Sequence, residues 1–67
     1  MNFDIREQFT PRKRAYLLLN KYPLDYVKMT INGFIKQYRK MDEIYLLDYW
    51  NDVAIEVKEI ITKKEDK

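Results

Sequence analysis

The chain has no cysteine, no histidine and no serine. Without cysteine, neither a disulfide framework nor a thiolate metal site can form; stability rests on packing alone, and a reducing, intracellular compartment fits. Without all three residue types the usual general base and the usual nucleophiles are missing. Thr10, Thr30 and Thr62 are the only aliphatic hydroxyls. A carboxylate or a tyrosine could still act, but a catalytic site of that kind is not expected in so small a core, and the chain reads as no enzyme. Apolar runs are only a few residues long, far below the roughly 20 that cross a bilayer. The opening "MNFDIREQF" carries acids where a signal peptide has a basic start and an apolar stretch. The expectation is a soluble, cytoplasmic protein with no cofactor, no metal and no membrane partner.

Sixty-seven residues make a single small domain, near the lower limit at which one core offsets chain entropy without a staple. Self-association is therefore expected, as a homo-oligomer. The net charge is only +2 but is unevenly spread: Met1 to Met41 hold nine Lys and Arg against three acids, and Asp42 to Lys67 four Lys against eight acids. Halves of +6 and −4 point to a charged partner or to a complementary self-contact.

Thr10 and Pro11 mark a helix start, since the hydroxyl caps a free N–H and proline sits where its own N–H would have no partner. Ala15, Leu18, Leu19 and Tyr22 share one face of that helix. Pro23 ends it, because the residue before a proline is pushed toward extended geometry. Residues 1–9 read as an N-terminal arm in which Phe9 can staple the first turn. A last helix of about twenty residues, capped by Asp42, follows from Leu46, Trp50, Val53, Val57 and Ile60 at spacings of four and three. Ala54 and Ile61 flank that stripe, and Asp48, Asn51, Asp52, Glu56 and Glu59 lie opposite. Residues 62–67, "TKKEDK", read as a frayed tail.

Residues 25–40 fit two templates. As a helix, Val27, Ile31, Phe34, Tyr38 and Met41 form an apolar stripe, with Lys28, Asn32, Lys36, Arg39 and Lys40 on the other face. As strands, "YVKMTINGFIKQYR" is a hairpin turning at Asn32-Gly33, a strong turn signal, while a glycine inside a helix costs about 1 kcal/mol. The two readings give a mostly α, three-helix arrangement or an α-β-hairpin-α fold. In the helical one the step of five from Met41 to Leu46 breaks the seam near Asp42.

The segments "FTPRKRAYLLLNKY" and "LLDYWNDVAIEVKEI" together resemble small phage and prophage accessory proteins. These open with a T-P-K-E-K-A-like helix, continue with an I-I-K-Q-like helix end and close with Y-W-x-x-V-x-x-E-I. The matching positions are Thr10, Pro11, Lys13 and Ala15, then Phe34, Ile35, Lys36 and Gln37, then Tyr49, Trp50, Val53, Val57 and Ile60. The resemblance implies a helical middle segment and a host-cell cytoplasmic setting, and it implies no activity. "WNDVAI" is similar to the W-x-x-x-A-I of the last helix in phage cyclic-nucleotide sponge proteins, through Trp50, Ala54 and Ile55.

Arg12, Lys13 and Arg14 crowd a first turn, where each cation costs about 0.3–1 kcal/mol against the helix dipole unless compensated. One reading makes them an anion site in which free N–H groups and guanidinium forks converge on a phosphate. The other supplies the anion from Asp4, Glu7 or the acidic third helix. Lys28 and Arg39 with Tyr26, and Tyr16 beside the basic turn, extend the first reading toward a nucleotide whose base stacks on a ring. Leu17, Ile44 and Ile55 fall off the main apolar faces and suit an interface. Asp48, Asp52, Glu56 and Glu59 could in principle meet Mg²⁺ or Ca²⁺, but without an acidic loop they read as a solvated face. The expected function is non-catalytic binding of a phosphate-bearing ligand, such as a nucleotide signal of host defence. The rivals are a protein–protein inhibitor of a host enzyme and a small DNA-binding regulator, the latter set against the acids of the last helix.

Overall fold

A computed structural model describes residues 9–65, with side chains through residue 63. Three helices account for nearly all of it: α1 (Pro11–Lys21), α2 (Leu24–Lys40) and α3 (Ile44–Glu65). There is no strand among the described residues. Thr10 caps α1 as expected, its hydroxyl accepting from the Lys13 N–H at 3.2 Å, with Pro11 in the first helical position. Tyr22 and Pro23 are extended and turn the chain into α2.

The hairpin alternative for residues 25–40 is not adopted. Asn32 and Gly33 lie inside α2, and Gly33 has a right-handed helical backbone with open space around its α-carbon. The intrinsic turn preference of Asn-Gly yields to the burial of Val27 and Ile31 with half-buried Phe34 and Tyr38, which only the helical spacing places on one face.

Three expectations need correction. Asp42 does not cap α3; it adopts the left-handed conformation (φ 57°) and closes α2. The Asp42 N–H donates to the Arg39 carbonyl and the Glu43 N–H to the Tyr38 carbonyl, the paired bonds of a Schellman turn, and α3 begins at Ile44. Met41, the last residue before that turn, is exposed and not part of the stripe. The predicted frayed tail is helical as far as Glu65, with the Thr62 hydroxyl donating to the Lys58 carbonyl. Residues 1–8 of the predicted arm lie outside the described residues.

Helix α3 is the spine. Tyr49, Trp50, Val53, Val57 and Ile60 bury one side of it, and α1 and α2 pack along that side with little contact between them. Phe34 of α2 stacks on Trp50 (centroids 4.6 Å apart), while Lys28 and Ile31 lie beside Val57 and Lys58, so α2 runs antiparallel to α3. Phe9 meets Tyr49 and Arg12 meets Glu56, so α1 runs in the same sense as α3. Among the described residues neither α1 nor α2 packs on the opposite side of α3. No helix of the described residues is long and apolar enough to cross a membrane.

Candidate functional site

The cations of the first turn diverge. Arg12 Nε donates to Glu56 Oε1 at 3.2 Å, an exposed pair contributing on the order of 0.2–1 kcal/mol. Arg14 folds inward: its guanidinium lies 4.4 Å from the Phe9 ring centroid and 6.0 Å from that of Trp50, and its Nε donates to the Tyr49 hydroxyl at 3.4 Å. Lys13 Nζ sits 5.7 Å from the Phe9 ring centroid. Phe9 and Arg14 occupy the two positions that a hydrophobic staple joins, and here the joint is a cation over a ring face. The conflict with the helix dipole is thus offset inside the chain, by a carboxylate of α3 and by two aromatic rings. Asp4 and Glu7, the other candidate anions, lie outside the described residues.

Tyr49 holds this corner together. Its side chain is fully buried, and its hydroxyl donates to the Phe9 carbonyl at 2.7 Å while accepting from Arg14. In the sequence Tyr49 stands out only through a family resemblance; it belongs to the second column of the α3 stripe, four residues before Val53 and eight before Val57.

The other predicted ligand residues are spread over the surface. Tyr16 is exposed on α1, and Lys28 and Arg39 are exposed on α2. Tyr26 is exposed at the elbow between α1 and α2, where its ring lies tilted against Tyr22 with centroids 4.9 Å apart and Lys21 Nζ lies 5.9 Å from the Tyr22 centroid. Met29 extends the same stripe one turn further and is 65% exposed. Of the seven residues, Arg12, Lys13 and Arg14 share the first turn without sharing a target.

One cleft opens between α2 and α3. Buried Ile31 and Val57 and half-buried Ile61 line it, with Lys28, Asn32, Lys58 and Thr62, and its volume of about 280 Å³ is near the low end for ligand pockets. The cleft depends on the pairing of two helices and has no local signature in the sequence. Leu17, Ile44 and Ile55, the predicted interface residues, are all exposed. No group of three or more His, Cys, Asp or Glu among the described residues is arranged to hold a metal ion.

Comparison with protein-family models, with curated proteins and with solved structures gives no match.

Proposed function

We propose that the chain is a non-catalytic binding protein that recognises another protein through the aromatic elbow between α1 and α2. The observation that carries this reading is the Tyr22–Tyr26 ring contact left in solvent, with Met29 beyond it and Lys21 against it. Tyrosine and methionine are types enriched where proteins meet, and clustered aromatics supply most of the affinity. The partner's chemistry follows from charge: α1 and α2 carry eight cations against one acid, Asp25, so the fitting surface is apolar at its centre and acidic at its rim. In the phage setting that the resemblance implies, such a partner is a host enzyme. The decisive experiment compares capture from cell extract by the natural protein and by a Tyr26→Ala/Met29→Asp variant. The captured protein is lost with the variant and kept with Lys28→Ala; equal capture by the elbow variant contradicts the reading.

A second reading, sequestration of a nucleotide or similar anion, is favoured by the cleft that Lys28 and Lys58 line above an apolar wall. It requires a nucleotide to raise the melting temperature in a salt-sensitive way and Lys28→Ala to abolish the rise. It no longer draws on Arg12 and Arg14, whose charges are engaged within the chain.

A further inference from the structure

The uncovered side of α3 carries a second regular seam. Ile44, Asp48, Asn51, Ile55, Lys58 and Thr62 follow one another at spacings of four, three, four, three and four, the repeat by which two helices pack side by side. None of the six is buried; Ile44 is 60% and Ile55 56% exposed. Both lie on the side of α3 turned away from Val53 and Val57, where neither α1 nor α2 reaches.

We infer that this seam pairs with the same seam of a second copy, antiparallel, about a two-fold axis at the level of Val53. The seam's charges are antisymmetric about that point, negative at Asp48 and positive at Lys58. In this register Asp48 faces the partner's Lys58 and Lys58 faces the partner's Asp48. Asn51 lies opposite the partner's Ile55, and Ile44 opposite the partner's Thr62. Neither Asp48 nor Lys58 forms an ion pair with a described residue of its own chain, so both charges are available. A parallel pairing would instead set Asp48 against Asp48 and Lys58 against Lys58.

The shape of the surface agrees with the register. Two hollows flank the C-terminal half of the seam and share Lys58 and Thr62: the α2–α3 cleft on one side and a shallow depression beside Ile55 and Glu59 on the other. The partner's Ile44 arrives opposite Thr62, at the edge of the cleft that Ile61 lines. Ile44, the most exposed isoleucine among the described residues, and the edge of the α2–α3 cleft are thereby covered by one contact. The axis falls within two residues of the middle of α3, so the paired helices overlap along most of their length. This contact leaves the elbow at Tyr22 and Tyr26 free, and it stands or falls independently of the function proposed there.

Charge reversal with rescue tests it. By sedimentation equilibrium the natural protein is a dimer, Asp48→Lys and Lys58→Asp each raise its dissociation constant by about tenfold, and the Asp48→Lys/Lys58→Asp double variant restores it. A monomer at every concentration overturns the proposal, as does a dimer that neither reversal weakens, or one that the double variant fails to restore. Register is read separately, because the chain has no cysteine of its own. An oxidised equimolar mixture of Asn51→Cys and Ile55→Cys proteins forms the mixed disulfide in preference to either symmetric one. Preference for the symmetric products indicates parallel pairing and overturns the proposal.

Discussion

Arg14 shows how a residue that local rules disfavour can be stabilising. Taken alone, a cation three residues into a helix opposes the dipole, and removing it relieves about 0.3–1 kcal/mol. In the folded chain its guanidinium covers the Phe9 ring and its Nε reaches the Tyr49 hydroxyl. A cation over a ring contributes about 0.5–1 kcal/mol and a hydrogen bond about 1 kcal/mol, so the contacts outweigh the dipole. Arg14→Gln therefore lowers stability by about 1 kcal/mol in urea unfolding; a stabilised variant would mean that the local cost dominates. Tyr49→Phe removes the hydroxyl that donates to the Phe9 carbonyl and costs about 1–2 kcal/mol by the same measurement. Arg12→Gln, by contrast, loses only an exposed pair and shifts stability by less than about 1 kcal/mol.

Among the elements, α2 is where local and tertiary preferences disagree most. Gly33 sits exposed in mid-helix, and a methyl group there meets nothing. Gly33→Ala consequently raises the melting temperature, by up to about 1 kcal/mol in stability or several degrees for a domain of this size. A hairpin at Asn32-Gly33 would give the opposite sign, because its turn needs a left-handed glycine. Asp42→Gly also stabilises, by roughly 0.5–1 kcal/mol, since Asp42 holds the left-handed position that closes α2. The starts and stops at Thr10, Pro11 and Pro23 and the stripe from Trp50 to Ile60 were legible in the sequence, because caps, prolines and helical spacing act locally. The switch of Asp42 from one helix's cap to the other's closing residue was not, since either use suits an aspartate. The divergence of Arg12 and Arg14 was not legible either: it depends on Glu56 and Tyr49, 44 and 35 positions away. Nor was the α2–α3 cleft, which exists only once two distant segments lie side by side.

At the scale of the whole molecule, Arg12 and Glu56 join the +6 and −4 halves within the chain, whereas the pairing proposed between two copies uses Asp48 and Lys58, both from the acidic half. A 67-residue chain that leaves Ile44 and Ile55 in water gains stability when they are covered, so folding is linked to pairing by mass action. In the proposed dimer the elbow would be presented once from each copy, offering the proposed protein partner two equivalent sites. The most direct test follows the thermal midpoint of the natural protein over a hundredfold range of concentration. A midpoint that climbs with concentration for the natural protein, with the same climb displaced to about tenfold higher concentration for Asp48→Lys, is the predicted result; a midpoint that does not move with concentration for either contradicts the account.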